Sequence, residues 1–329
     1  MISKRLRRGI RWSIKPASRI PPETALIWWG SLPRGGGATI GDLHAVTNVS
    51  RALLKGNCKH ELLTEFRLAE ETHTPIEYLS DIKRGIKRIV FVCGPLVNSP
   101  ELSYFLARHK DAQKFAVGVS ILPNHVEQTH RFDATLPRDG TPNATFDLAL
   151  AHYNRKSPTE FVRHAPALAG ICLCGKQSEY GPDRPAHSDR AQELIATAVQ
   201  RAGLRTITID TRLGPGNSVA QIEEQFRSVD LVLTTRMHGA LYGLAHGKPV
   251  IAIDQIRGGA KVSELLKRVE WPLVYGVDDL NEALFADGIQ RALSPDMRTA
   301  AIEARHRTIS LSHAALEKAI HMIVGDCNQ

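Results

Sequence analysis

The stretch that decides the fold is DLVLTTRMHGALYGLAHGKPVIAID, residues 230–254. It begins as a continuous apolar run, passes through a short segment rich in glycine and alanine, and ends in a second apolar run. Gly247, followed by Lys248 and Pro249, predicts the end of a helix, because glycine accepts the left-handed cap and proline cannot continue a helix. The stretch therefore predicts strand, turn, short helix, turn and strand, which is the repeating unit of a parallel sheet.

The same alternation runs along the whole chain. Predicted strands cover residues 26–29, 88–93, 115–121, 146–151, 170–174, 205–209, 230–234, 249–254 and 273–275. Predicted helices cover residues 42–54, 101–108, 189–202, 219–228, 239–246, 261–269, 280–293 and 297–324. Continuous apolar runs are typical of central parallel strands that are covered on both faces. The pattern therefore predicts doubly wound α/β domains.

A polar stretch over residues 153–166 separates two αβ halves of similar size. Pro158 and Pro166 interrupt this stretch, as is typical of a connection between domains. We expect a basic tail over 1–22, a first Rossmann-like domain over 23–155, a second over 156–295 and a closing helix over 296–329. Ligands of such sheets bind at the carboxyl ends of the strands, so the cleft between the domains is the expected active site.

The positive charge of the chain is concentrated at its N-terminus. The 329 residues include 42 Lys and Arg against 34 Asp and Glu, a formal net charge of +8. Seven of these cations fall within residues 1–19, so the remainder is nearly neutral and does not look like a nucleic-acid binder. The tail is either a solvated segment or a basic amphipathic stretch that lies on an anionic membrane surface. Both interpretations stay open.

Composition excludes several other classes. No apolar run approaches the roughly 20 residues needed to span a bilayer, and five cysteines in 329 residues cannot form a disulfide scaffold. We therefore expect a cytoplasmic protein, with peripheral contact at the inner face of the membrane as the alternative. Cys172 and Cys174 have poor spacing for zinc and are expected to be buried thiols. Metal-ligand spacing is also lacking among His125, His130, His152 and His164.

The strongest candidate site is Arg236-Met237-His238-Gly239, where the predicted strand ends and the helix begins. A helix N-terminus offers free N–H groups, and a guanidinium adds five donors, which together suit a phosphate or a carboxylate. His238 adds a side chain that exchanges its proton near neutral pH, and glycine at 239 is expected to keep the first turn open to a ligand. In the alternative, Arg236 caps a carbonyl and His238 is a satisfied core residue.

A second candidate is the glycine-rich loop in WWGSLPRGGGATIGD, residues 28–42. Its glycines, among them Gly36 and Gly37, let main-chain amides approach a ligand, although the loop is neither a Walker A nor a dinucleotide-binding motif. Asp42 is either the N-cap of the next helix or a carboxylate that orients or deprotonates a sugar hydroxyl. Lys261 opens a later helix and either reaches an anion in the cleft or is solvated.

Residues 230–254 resemble the most recognisable motif of the polysaccharide pyruvyl transferase family. That motif is an apolar strand, then Arg–aliphatic–His–Gly or –Ala, a short helix, and Gly-x-Pro before another apolar strand. The Gly-Asp that ends the loop over 35–42, and the Lys-Val at 261–262 before a Leu-rich helix, are also similar to the family. The resemblance extends from about residue 26 to residue 270 and is most specific at the Arg-Met-His segment.

The resemblance implies a fold similar to that of GT-B glycosyltransferases. Two Rossmann-like domains would face a cleft, the first on the acceptor side and the second on the donor side, with the C-terminal helix returning to the first domain. The implied reaction moves the enolpyruvyl group of phosphoenolpyruvate onto a lipid-linked or polymeric glycan and forms a pyruvate ketal, without metal or cofactor. His238 and Asp42 would be catalytic. The remaining candidates would bind substrate: Arg236, Met237, Gly239, Lys261, Gly36 and Gly37.

Two other functions stay open. A nucleotide-sugar glycosyltransferase of the same fold would need a carboxylate near the strand ends of the second domain, for which Asp254 and Glu264 are the candidates. A non-catalytic glycan-binding relative is the other alternative, because an Arg-Ser pair found in the family near the end of the first domain has no clean counterpart here.

Overall fold

The computed structural model describes residues 23–28, 38–65, 73–76, 78–82, 85–154, 164–214 and 216–325. The predicted basic tail over 1–22 and the loop glycines Gly36 and Gly37 lie outside the described residues. The described elements form two parallel sheets flanked by helices.

The first sheet is built from the N-terminal half of the chain. Its strands are β1 (Thr24–Trp28), β2 (Glu61–Glu65), β3 (Thr74–Ile76), β4 (Arg88–Val92), β5 (Pro95–Leu96), β6 (Gln113–Ile121) and β7 (Ala134–Asp139). They lie in the order β3-β2-β1-β4-β6-β5, with β7 also paired to β6, and every pairing is parallel. Strand β1 is buried along its whole length, as expected of a central strand covered on both faces.

The second sheet follows later in the chain. Its strands are β8 (Leu168–Cys172), β9 (Arg205–Thr208), β10 (Leu231–Thr234), β11 (Val250–Asp254) and β12 (Val274–Gly276). They lie in the order β12-β11-β10-β8-β9, again all parallel. The strand–helix–strand unit predicted over residues 230–254 is therefore β10, a helix and β11 at the centre of this sheet.

Eight α-helices lie in the described part of the chain. They are α1 (Ile40–Lys55), α2 (Pro100–Arg108), α3 (Ser188–Arg201), α4 (Val219–Ser228), α5 (Met237–Ala245), α6 (Lys261–Arg268), α7 (Glu282–Ala292) and α8 (Pro295–Val324). Local sequence sets several starts: Ser218 caps α4 in a capping box with Gln221, and the Ser294 hydroxyl accepts from the Met297 N–H ahead of α8. Helix α8 packs on α5 in the second half, and in the first half it packs on helix α1 and on strand β6. The predicted doubly wound fold with a returning C-terminal helix is confirmed.

The prediction of a strand over residues 146–151 is wrong. The segment is buried but forms a turn, and side chains rather than a neighbouring strand satisfy its main chain. Asn48 Nδ2 donates to the carbonyl of Leu148 at 2.9 Å, and Ser312 Oγ donates to the carbonyl of Asp147 at 2.7 Å. An apolar run that lines a core in this way cannot be distinguished from a buried strand by its hydrophobicity.

Within the described residues, the helices all lack the combination of length and apolar character that a membrane span requires.

Candidate active site

The N-termini of α1 and α5 meet where the two halves of the molecule contact each other. The main chain just before α1 pairs with a loop of the second half: Ile40 N donates to Thr211 O at 2.8 Å, and Leu213 N donates to Ala38 O at 2.8 Å. An isolated antiparallel bridge between Thr39 and Arg212 lies between these bonds. This short pairing holds the first turn of α1 against the first turn of α5.

His238, in the first turn of α5, lies at this junction and is only 6% exposed. Its ring nitrogens contact two groups from the first half of the chain. Nδ1 lies 3.2 Å from the hydroxyl of Thr39, and Nε2 lies 3.3 Å from Oδ2 of Asp147. The sequence singled out His238 but not these two partners.

Asp42 lies beside this histidine, linked to it through Thr39. Its Oδ2 accepts hydrogen bonds from the Thr39 N–H at 3.1 Å and from the Thr39 hydroxyl at 2.8 Å. The N-cap of α1 is therefore Thr39, and Asp42 is the third helical residue of a capping box, not the N-cap that the sequence suggested. The helix consequently starts two residues earlier than predicted, at Ile40. The structure thus brings together both predicted catalytic residues.

His238 contacts a buried network of ion pairs through Asp147. Arg138 Nη1 lies 2.8 Å from Asp147 Oδ2, and its Nε lies 3.4 Å from Asp139 Oδ2. Ser120 Oγ donates to Asp139 at 2.8 Å and accepts from Arg138 Nε at 3.1 Å. Because each charged group is buried and has a partner, the network holds Asp147 rigidly against the imidazole.

The network also shifts the pKa values of its members. Burial alone would raise the pKa of Asp147, but the adjacent His238 and Arg138 outweigh it and hold that pKa well below the ordinary range. For Asp139 burial dominates, and its pKa is raised although Arg138 and Lys261 act in the opposite direction. Asp147 is therefore the ionised partner of His238 over the whole neutral range.

Arg236 occupies the N-cap position of α5 and is partly buried. Its main-chain N–H donates to Thr234 Oγ1 at 2.9 Å, and its Nε donates to the carbonyl of Leu173 at 3.3 Å. Its charge reaches Asp210: burial would raise the pKa of that carboxyl, but hydrogen bonds from Arg212 and the charge of Arg236 lower it. Capping a carbonyl uses one nitrogen of the guanidinium, so its two terminal nitrogens can still bind an anion.

Met237 and Gly239 serve packing rather than side-chain contact with a ligand. The Met237 side chain is 4% exposed and lies in the hydrophobic core. A Cβ at residue 239 would lie 2.4 Å from Thr234 Oγ1 and 2.8 Å from Cys172 Sγ. The prediction that this glycine opens the helix to a ligand is therefore wrong, because its bare Cα lets α5 approach the sheet. Both residues can offer only main-chain N–H groups to a substrate.

Lys261 begins α6 and lies on the Asp139 side of the network. Its Nζ is 3.7 Å from Glu179 Oε1 and 5.8 Å from the centre of the Tyr180 ring. Its side chain is 23% exposed, so it is neither a fully solvated lysine nor a buried one. No contact between Lys261 and the His238 ring occurs among the described residues.

The carboxylates that a nucleotide-sugar enzyme would need are both engaged by the protein. Asp254 is 1% exposed and accepts hydrogen bonds from the main-chain N–H groups of Ile256, Ala260 and Ser263. Glu264 accepts from the Gly140 N–H at 3.0 Å, across the two halves of the molecule. Asp254 therefore orders the loop before α6, and Glu264 ties that helix to the first half.

Comparison with known proteins finds a family model that matches part of the chain. Residues 178–255 match the model of the polysaccharide pyruvyl transferase family. The matched segment contains Arg236 and His238, so the resemblance drawn from the sequence is confirmed over these residues. No curated protein sequence matches the chain significantly.

Solved structures share the fold at low sequence identity. A protein described as a UDP-N-acetylglucosamine 2-epimerase from Listeria monocytogenes is similar with a TM-score of 0.57 at 11% identity, over 93% of this chain and 97% of that one. The corresponding epimerase from Methanocaldococcus jannaschii has a TM-score of 0.52 at 12% identity, over 82% of this chain and 93% of that one. The glycosyltransferase of kitacinnamycin has a TM-score of 0.53 at 13% identity, over 92% of this chain and 100% of that one. These similarities show the predicted GT-B-like fold.

Proposed function

We propose that this protein is a pyruvyl transferase that uses phosphoenolpyruvate to place a pyruvate ketal on a sugar of a surface or exopolysaccharide. One observation carries the proposal. The Arg-Met-His segment of the matched family begins α5, where His238 contacts Asp147 directly and Asp42 through Thr39. The proposed chemistry needs an anion site and a positioned proton donor at the same place, and no metal or cofactor.

The anion site is the N-terminus of α5. The first N–H groups of a helix have no acceptor within it, and the helix dipole favours negative charge there. Arg236 adds its guanidinium at the N-cap position. Phosphoenolpyruvate carries both a phosphate and a carboxylate, and each suits the planar fork of an arginine. Main-chain N–H groups of residues 237–239 would complete this donor site.

The proton donor is His238. The Thr39 hydroxyl donates to Asp42 in the shorter of its two contacts, 2.8 Å against 3.2 Å to the ring. Nδ1 of His238 must then donate to the Thr39 oxygen, while Nε2 donates to the Asp147 carboxylate. Both ring nitrogens are thus held by hydrogen bonds inside the protein, with two carboxylates nearby. To protonate the enol carbon, the ring would exchange one of these two hydrogen bonds for the substrate.

The proposed reaction balances without a further reactant. His238 gives its proton to the methylene carbon of phosphoenolpyruvate, and a sugar hydroxyl adds to the central carbon. Inorganic phosphate leaves as the C–O bond to the central carbon breaks, and a second hydroxyl closes the cyclic ketal. Each hydroxyl loses a proton, of which one restores His238 and the other leaves with the inorganic phosphate. Both Thr39 contacts of Asp42 use Oδ2, so Oδ1 can orient or deprotonate the acceptor hydroxyl.

The acceptor would be a lipid-linked or polymeric glycan that enters from the first half of the molecule. Lys261 would provide positive charge at the Asp139 side of the site, and the loop with Gly36 and Gly37 would contribute main-chain amides. Phosphoenolpyruvate as donor implies a cytoplasmic reaction, with the basic tail over 1–22 holding the enzyme near lipid-linked substrate.

A melting experiment distinguishes this proposal from the glycosyltransferase alternative. A ligand that binds only the folded state raises stability by RT ln(1 + [L]/Kd), which is about 2.7 kcal/mol at a concentration 100 times its Kd. We expect phosphoenolpyruvate to raise the melting temperature and UDP-sugars to leave it unchanged. The opposite pattern would show that the site takes a nucleotide sugar.

A further inference from the structure

A cluster of two histidines and one carboxylate lies beside Tyr242, at another contact between the two halves of the molecule. One ring nitrogen of His44, one of His152 and a carboxylate oxygen of Glu223 all lie within 4.8 Å of one another. His44 is in α1, His152 follows the turn over 146–151, and Glu223 is in α4 of the second half. We propose that these three side chains form a binding site for a divalent metal ion of the Zn²⁺ class, which would link the two halves of the molecule.

The hydrogen bonds of the two histidines leave one nitrogen of each for a metal. His152 Nδ1 lies 2.9 Å from the carbonyl of Ala149, so this nitrogen carries the proton. Tyr242 Oη lies 2.5 Å from His44 Nδ1, so the protein already engages this nitrogen. A proton on Nδ1 that the Tyr242 oxygen accepts leaves Nε2 of His44 for a metal, as the Ala149 contact does for Nε2 of His152. Fixing a tautomer through the other ring nitrogen is the usual arrangement behind a metal-binding histidine.

The carboxylate is held in place in a similar way. Tyr153 Oη donates to one oxygen of Glu223 at 2.5 Å, and His246 Nε2 lies 2.7 Å from the other. A carboxylate has about four acceptor positions, so either oxygen can also bind a cation. Two histidines and one glutamate are an established ligand set for zinc.

The charges and protonation states of these side chains favour binding of a cation. Burial lowers the pKa of His44 to about 3, so its ring is neutral at pH 7 and able to bind metal. Burial would raise the pKa of Glu223, but its contact with His246 lowers it, which keeps the carboxylate ionised. Arg51 is a nearby cation that acts against binding, and it is exposed to solvent.

The geometry requires only a small adjustment. Ligands about 2.0–2.2 Å from a tetrahedral zinc ion lie about 3.3 Å apart, so three atoms within 4.8 Å must close by up to about 1.5 Å. His152 also lines a cavity of about 690 Å³, together with Asn48, Arg51 and Tyr153. A fourth coordination position would therefore face this cavity and take water or a small anion.

Metal titration of the full-length protein tests this site without any substrate. After treatment with a chelator, the protein should bind one equivalent of Zn²⁺ or Co²⁺, and its melting temperature should rise. His152→Ala and Glu223→Gln should each weaken binding more than about 100-fold, since loss of a group behind a ligand alone costs about 10- to 100-fold. His306→Ala, an exposed histidine on α8, is the matched control and should bind as the wild type does.

His152 is exposed and Glu223→Gln keeps the side-chain shape, so both variants are expected to fold. The visible spectrum of the Co²⁺ form should show nitrogen and oxygen ligation without thiolate bands. Absence of metal binding, thiolate ligation, or binding that survives in both variants would overturn the proposal. Since no phosphoenolpyruvate is present, none of these outcomes depends on the proposed transferase activity.

Discussion

Gly41 and His238 are packed against each other across the two halves of the molecule. A Cβ at residue 41 would lie 2.3 Å from both Nδ1 and Cε1 of the imidazole ring. The ring therefore occupies the space that any other residue at position 41 would need. This contact, together with Thr39 and Asp147, fixes the orientation of His238.

Gly41→Ala should displace the ring. We expect kcat to fall about 100-fold, since a 1 Å misplacement of a catalytic group can cost that much. Overpacking should also lower the free energy of unfolding by about 1–3 kcal/mol. Gly56→Ala is the control, because a Cβ there would lie 3.5 Å from its nearest neighbour. Steady-state kinetics and urea unfolding of both variants test this, and normal turnover in Gly41→Ala would contradict the assigned role of His238.

Asp147→Asn should be strongly destabilising. The substitution leaves the buried Arg138 without one of its two carboxylates, and breaking a buried ion pair costs about 3–5 kcal/mol. Glu282→Gln removes an exposed partner of Arg201 and should cost less than about 1 kcal/mol. Chemical denaturation of the two variants at neutral pH measures the difference. Equal stability of the two variants would mean that the buried network does not support the fold.

The same carboxylate predicts a dependence of stability on pH. The pKa of Asp147 is held below its ordinary range in the folded state, so its contribution is complete above the unfolded value of about 3.9 and is lost as the pH falls below that value. Asp139 acts in the opposite sense, because burial raises its pKa and its contribution fades as the pH rises. Urea unfolding between about pH 2 and pH 5 should therefore show a shallower acid loss in Asp147→Asn than in the wild type. Parallel curves would contradict this.

The regular part of the fold could be predicted because its signals are local. The predicted helix over 219–228 coincides with α4, where Ser218 and Gln221 form the capping box. Strands β10 and β11 are continuous apolar runs, and glycine with proline ends the helix between them. Strand β7 was missed because it contains Pro137 and pairs with β6 through register shifts, which weakens the pattern of a strand.

The candidate site could be predicted only where one segment carries it. Arg236 and His238 are close in sequence at a strand end, so their chemistry was visible. Asp147 was hidden in an apolar run, and Arg138 lies in the polar sequence RDGTPN, which is typical of a surface turn. Asp147 and Arg138 matter because they are buried against each other, and the spacing of residues along the sequence does not reveal this contact.

The cluster of His44, His152 and Glu223 was missed for a related reason. Spacing along the chain found no metal ligands among the histidines, because the three side chains come from distant positions. Only the contact between α1, the turn over 146–151 and α4 brings them within 4.8 Å. In general, a site formed between domains cannot be found from the spacing of its residues along the chain.

Arg236 and His238 should fail differently when replaced. Arg236→Lys keeps the charge but loses the planar fork, and hydrogen bonds to charged groups are worth about 1.5–3 kcal/mol. Donor binding should weaken roughly 10- to 100-fold, with less change in kcat. His238→Asn should lower kcat by roughly 10²- to 10⁴-fold with a smaller change in donor affinity. Loss of folding in both variants would instead support purely structural roles for these residues, and melting curves report this.

The most direct test of the central claim is release of inorganic phosphate from phosphoenolpyruvate in the presence of candidate glycan acceptors, with the product analysed for a pyruvate ketal. We predict phosphate release that depends on the acceptor, ketal formation in equal amount, and loss of both in His238→Asn. UDP-sugars should not be consumed. Turnover of a UDP-sugar by the wild-type protein, with phosphoenolpyruvate left intact under every acceptor, would contradict the account.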